Sequence, residues 1–165
     1  MAEANRDNSA EAQAEAGIIV VSHADYGSSM LRTAEFILGP LSDCTSISVD
    51  VGQEVPETVR RLKDAAERLD KGAGVIVLTD MFGGTPTNLA LSLLATHRVE
   101  VVTGVNLPML LKVFSSRRLP LDQLAQKASD AGVKGIVVPG SMLKSRQKQT
   151  ADRAEREDRA DKARG

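Results

Sequence analysis

The run Val75-Ile76-Val77-Leu78-Thr79 is short, apolar and β-branched, and the next residue is a carboxylate, Asp80. A run with no polar alternation reads as a strand covered on both faces, the habit of inner strands in parallel sheets. The glycine pair Gly83-Gly84 follows, and Thr85-Pro86-Thr87-Asn88 opens a helical pattern. Thr85 is read as the N-cap, with Pro86 at the first helical position, where its missing N–H is not needed. A strand therefore delivers Asp80 beside a glycine turn and a helix N-terminus. The free N–H groups of such a helix end attract anions, phosphate above all.

The rest of the chain alternates strands with helices. Residues 17–22 form another continuous apolar run, which stops at His23. Met30, Leu31, Ala34, Ile37 and Leu38 then recur at helical spacing until Gly39-Pro40. Over residues 45–51, Ile47, Val49 and Val51 alternate with Ser46, Ser48 and Asp50, which predicts a half-exposed strand at a sheet edge. Val59, Leu62, Ala66 and Leu69 make the apolar stripe of a second helix, with Arg60, Lys63, Asp64, Glu67 and Arg68 on its solvated side. Leu89, Leu93 and Leu94 belong to a third helix that stops near His97, and residues 99–103 form a fourth strand. Asn106 caps a helix carrying Met109, Leu110, Val113 and Phe114. Pro120 opens another, with Leu121, Leu124, Ala125 and Ala128 facing in and Gly132 closing it. Residues 135–139 read as a last short strand. Such alternation predicts an α/β fold: a doubly wound, mostly parallel sheet with helices on both faces and the strand order 2-1-3-4. Residues 1–16 are expected to be a disordered leader, 17–140 one domain, and 141–165 a charged, solvent-exposed tail.

Composition removes several function classes. Only 2% of the 165 residues are aromatic, too few for the stacking platforms that bind single-stranded nucleic acid or flank a flavin ring. The net charge of -1 provides no field to steer the protein to nucleic acid or an anionic membrane. The single cysteine, Cys44, excludes a disulfide scaffold and is read as a small buried hydrophobe in a reducing compartment. There is no Gly-x-Ser-x-Gly elbow and no phosphate-binding Gly-x-x-x-x-Gly-Lys loop. His23 and His97, without a cysteine cluster, do not make a zinc site. No cofactor or metal is expected, and the absence of a long apolar segment points to the cytoplasm.

In a doubly wound sheet, ligands bind beyond the carboxyl ends of the strands, where strand order reverses. That point lies between the first and third strands, so His23, Asp80 and the Gly83-Gly84-Thr85 turn converge there. A carboxylate accepting from Nδ1–H fixes the imidazole tautomer and leaves Nε2 as a nucleophile. Glycine amides, the Thr85 hydroxyl and the helix end can hold the oxygens of a phosphoryl group without a metal. One oriented donor of this kind contributes roughly 3–4 kcal/mol in a transition state. His97 is read as a connector residue, Asn106 as a cap and Asp25 as a turn residue.

These residues carry a family resemblance. Ser22-His23 before a helix ending Thr33-Ala34-Glu35-Phe36-Ile37-Leu38-Gly39, the turn Thr79-Asp80-Met81-Phe82-Gly83-Gly84-Thr85-Pro86-Thr87-Asn88, and Thr103-Gly104-Val105-Asn106-Leu107-Pro108-Met109-Leu110 resemble the mannose-family IIA component of the bacterial phosphoenolpyruvate-dependent sugar phosphotransferase system. The likeness covers residues 17–139. It implies a phosphotransferase in which His23 is phosphorylated by HPr and passes the group to a IIB component. The IIC and IID membrane components complete the complex, at which a cytoplasmic IIA would be peripheral. It implies that Asp80 orients His23 and that Ala24, Gly83, Gly84 and Thr85 bind phosphate. Ala24 stands where the family usually has Gly. Similar proteins are homodimers whose last strand, here 136–138, crosses to the other subunit and runs antiparallel. Three alternatives stay open: a phosphoryl donor to a dihydroxyacetone kinase, a regulatory homologue, and a flavodoxin-like nucleotide- or flavin-binding module.

Overall fold

Successive residues of a strand face opposite sides of a sheet, and the inner strands here use both sides for core. A computed structural model describes residues 14–49, 55–141, 143, 144, 150 and 153 of the chain. Two units divide it, Met1–Gly135 and Ile136–Gly165. In the first unit, four parallel strands lie in the order β2-β1-β3-β4: β1 Gly17–His23, β2 Cys44–Val49, β3 Val75–Thr79 and β4 Val99–Thr103. Among the described residues of this unit, five helices connect and follow them: α1 Tyr26–Leu38, α2 Val55–Leu69, α3 Thr85–Leu91, α4 Leu107–Ser116 and α5 Leu121–Lys134.

The two apolar runs split residue by residue between two cores. Ile19, Val21, Val75 and Val77 join Leu62, Ala66 and Leu69 of α2 and Leu89 and Ala90 of α3. Ile18, Val20, Ile76 and Leu78 join Ala34 of α1, Leu110 and Val113 of α4, and Leu124 and Ala128 of α5. β1 and β3 therefore lack polar alternation because neither of their faces meets water. β2 lies at the edge, as its alternation predicts, while residues 50 and 51 fall outside the described residues. Cys44 opens β2 half-buried against the second core, and burial pushes its thiol above the usual range.

Several expectations are corrected. Within a single copy of the chain, residues 135–139 are not part of a strand. Gly135 is the C-cap of α5, and Ile136, Val137 and Val138 belong to no strand, with exposures of 77%, 55% and 70%. A strand exists only through hydrogen bonds to a neighbour, and none of the described strands pairs with this segment. α5 does not close at Gly132 but runs on to Lys134. Gly132 instead packs closely on Met109, where a Cβ would come within 2.8 Å of Cε. α3 ends at Leu91 and continues only as turns, so Leu93 is buried while Leu94 is 50% exposed. Ile37 and Leu38 of α1 are likewise exposed.

Residues 14–16, the inner end of the expected leader, are among the described residues. Ala16 is fully buried: its amide donates to Arg117 O and its carbonyl accepts from Arg117 Nε. Residues 1–13 lie outside the described residues. Of the expected tail, residues 141, 143, 144, 150 and 153 are described, and all are helical and exposed.

Candidate active site

β1 and β3 are adjacent and in register, with Val21 opposite Thr79. Their carboxyl ends therefore bring His23 and Asp80 together across 57 positions of sequence. Asp80 Oδ2 accepts from the His23 amide at 2.8 Å and lies 2.7 Å from His23 Nδ1. Asp80 Oδ1 accepts from the Met81 amide at 2.9 Å. Burial, the largest single influence on this carboxyl, pushes its pKa up. The bonds from the His23 amide and ring, the nearby imidazole and the Met81 amide together outweigh it and hold Asp80 below its ordinary value. An ionised Asp80 can only accept, so in the neutral imidazole Nδ1 carries the proton and Nε2 the lone pair. The His23 side chain is 49% exposed against 16% for Asp80. The imidazole is half exposed while the carboxylate it contacts is set back.

The turns around this pair are tightly made. Ala24 follows His23 with φ +47, a left-handed conformation that disfavours a Cβ. Gly83 has φ +80, which a non-glycine residue adopts only under strain. Gly84 lies against the imidazole: a Cβ there would stand 3.3 Å from His23 Cε1. Gly84, not Thr85, is the N-cap of α3, because its carbonyl accepts the first helical bond, from the Asn88 amide. Thr85 is the first helical residue, with its side chain exposed.

The remaining polar residues divide between the crevice and elsewhere. Asn106 caps α4 by accepting from the Met109 amide, and its amide group donates to Gly132 O. Asp25 holds the N-cap position of α1 without a side-chain cap bond. Ser22, buried at the end of β1, takes that part by accepting from the Gly27 amide. Tyr26 donates to Val105 O and joins the start of α1 to the β4–α4 loop. His97 lies in the turns before β4, with Nδ1 2.8 Å from the Thr96 hydroxyl and Nε2 3.6 Å from Glu67. Sequence reasoning missed Ser22, Tyr26, Ser48 and Thr87. Their position at strand ends and helix starts next to His23 and Asp80 was the available signal. Among the described residues, no group of three or more His, Cys, Asp or Glu side chains is placed to hold a metal ion. Among them too, no helix is long and apolar enough to cross a membrane.

Comparison with known proteins agrees with this geometry. A family model described as "PTS system fructose IIA component", PTS being the phosphotransferase system, matches residues 17–129. The mannose-specific EIIAB component of Escherichia coli K12 is 29% identical over 122 residues, 72% of this chain and 38% of that protein. The chain thus spans well under half the length of that relative. The fructose-specific EIIA component of Bacillus subtilis is 30% identical over 101 residues, covering 61% of this chain and 69% of that one. Among solved structures, the IIA protein of the fucose utilization operon of Streptococcus pneumoniae superposes with a TM-score of 0.67 at 31% identity, over 78% of this chain and 96% of that one. The mannose/sorbose-specific IIA subunit of Enterococcus faecalis does so with 0.69 at 26% identity, over 76% and 95%. With its sheet order and its strand-end histidine and aspartate in contact, the chain belongs to the mannose/fructose/sorbose family of phosphotransferase-system IIA components.

Proposed function

We propose that the chain is a phosphohistidine carrier in sugar uptake: His23 accepts a phosphoryl group from HPr and passes it to a IIB component. The observation that carries this reading is the 2.7 Å contact between His23 Nδ1 and Asp80 Oδ2, on a histidine whose side chain is 49% exposed. The Nε2 lone pair attacks the phosphorus of the donor's phosphohistidine. The donor P–N bond breaks, its electron pair returns to the donor imidazole, and a new P–N bond forms on His23. The Nδ1 proton stays in its bond to Asp80, which stabilises the positive charge that the ring gains. Transfer to IIB is the same step in reverse order. On this reading Ala24, Gly83, Gly84 and Thr85 hold the phosphoryl oxygens, and the lack of a side chain at Gly84, where a Cβ would stand 3.3 Å from His23 Cε1, leaves the ring edge open.

The test is incubation with phosphoenolpyruvate, enzyme I and HPr. The chain gains an acid-labile phosphate, and His23→Ala abolishes it. Label on the His23→Ala variant would place the chemistry elsewhere.

Dimerisation belongs to the same reading. β4 is a sheet edge, and a groove beside it is lined by Leu91, Val101, Val102 and Thr103. The exposed, β-branched Ile136, Val137 and Val138 of a second copy have the composition of a strand that could add there antiparallel.

A further inference from the structure

Two hydroxyls outside the His23–Asp80 pair each hold the backbone carbonyl that follows one of its members. Thr87 Oγ1 donates to Met81 O at 2.6 Å and lies 2.8 Å from Thr79 Oγ1. A carbonyl cannot donate, so the Thr87 proton is committed to Met81, and the Thr79 hydroxyl must donate to Thr87. Thr79 and Thr87 are 0% and 1% exposed, and one hydroxyl thereby ties the residues on both sides of Asp80. Met81 in turn donates its amide to Asp80 Oδ1, which leaves Oδ2 for His23. On the other strand, Ser48 Oγ donates to Ala24 O at 2.7 Å. Ala24 is the left-handed residue directly after His23. β2 carries Ser48 in register with Ser22, one residue before His23.

A buried threonine is often no more than a satisfied core hydroxyl. Here valine would fill the same volume on a helix face otherwise apolar at Leu89 and Ala90. A buried hydroxyl costs stability unless it is bonded, and the bonds this one makes go to the two neighbours of the orienting carboxylate. We infer that Thr87 and Ser48 are positioning residues, a pair of hydroxyl clamps that set Asp80 and His23 in transfer geometry by holding the Met81 and Ala24 carbonyls. This rests on the carrier reading for its rate effects but not for its geometry. The two turns are otherwise glycine-rich or strained. Loss of either clamp lets one partner drift, and misplacement on the scale of an ångström costs up to about a hundredfold in rate.

The experiment uses the full chain with Thr87→Val and Ser48→Ala, the conservative Thr87→Ser and Ser48→Thr, and Val113→Ala as a destabilised control on α4. Rapid quench with phosphorylated HPr gives the saturating transfer rate and the donor concentration at half-saturation. Proton NMR follows the His23 Nδ1–H donated to Asp80. Thr87→Val and Ser48→Ala each slow the saturating rate about tenfold with half-saturation unchanged, and each broadens the Nδ1–H signal. The conservative variants restore both, and Val113→Ala changes neither. An unaltered Nδ1–H signal in Thr87→Val and Ser48→Ala overturns the inference, as does equal slowing by Val113→Ala. Absence of phosphate on parental His23 overturns the carrier reading instead, and the NMR comparison then decides the clamps by itself.

Discussion

Asp80 does two things at the residue scale: it bonds the His23 amide in the turn, and it bonds the ring at Nδ1. Asp80→Asn keeps the size and much of the hydrogen bonding but removes the charge that, on the proposed carrier reading, stabilises a phosphorylated ring. We expect a folded protein whose phosphoryl transfer falls about a hundredfold or more, read by rapid quench. Transfer within a factor of two of the parent would show that orientation without charge is enough. Ala24 makes the opposite kind of prediction. A left-handed alanine costs about 1–2 kcal/mol, part of which glycine returns as unfolded-chain entropy. Ala24→Gly should therefore gain up to about 1 kcal/mol in urea denaturation, and a loss would mean that the methyl group packs usefully.

The early end of α3 is decided at the element scale. Leu93 and Leu94 are neighbours of one residue type, and helical spacing puts both on the apolar face. In the structure only Leu93 is buried, at 0% against 50% for Leu94. Leu93→Ala should cost about 2–5 kcal/mol, and Leu94→Ala well under 1 kcal/mol, in the same denaturation experiment. Equal losses would mean that α3 continues past Leu91. α1 shows the same limit, because Ile37 and Leu38 lie at helical spacing and are nevertheless exposed. Periodicity reports which face is apolar. It does not report where the neighbouring element stops covering that face.

Arg117 acts at the scale of the whole molecule. It is 5% exposed, with Nε donating to Ala16 O and a second nitrogen to Ser42 O, and its ring of partners includes Glu15. It joins the entry to β1, the α1–β2 loop and the end of α4. Arg117→Met removes the charge but leaves buried carbonyls unpaired, and should cost about 3 kcal/mol. Acid acts on the molecule as a whole too. Asp43 is held low mainly by its bond to Lys71, and Asp80 is held low, against its burial, by His23 and Met81. A carboxyl whose folded pKa lies below its unfolded value of about 3.9 adds stability that is complete above that pH. That stability is lost as pH falls from about 4 through the folded values. Denaturant midpoints should therefore fall below pH 4 from this source, and Asp80→Asn should flatten part of that limb. Assembly is tested at the same scale: sedimentation should find a dimer that Val137→Asp converts to monomer, and an unchanged dimer would rule out the strand exchange.

The architecture was legible because each cause was local. β1 and β3 are continuous apolar runs since both faces are covered, β2 alternates since it is an edge, and a parallel order puts the ends of β1 and β3 side by side. The convergence of His23 and Asp80 follows from that order alone. What lay beyond the sequence depends on contacts between residues far apart in the chain. The cap moved from Thr85 to Gly84, a choice made by which carbonyl meets the Asn88 amide. Ser48 and Thr87 look like ordinary strand and helix residues until the turns they hold are in place. Residues 136–138 have strand composition but no strand, because pairing needs a neighbour as well as a propensity. Local chemistry can be written into a stretch of chain, whereas a hydrogen bond across a fold exists only once both ends have been brought together.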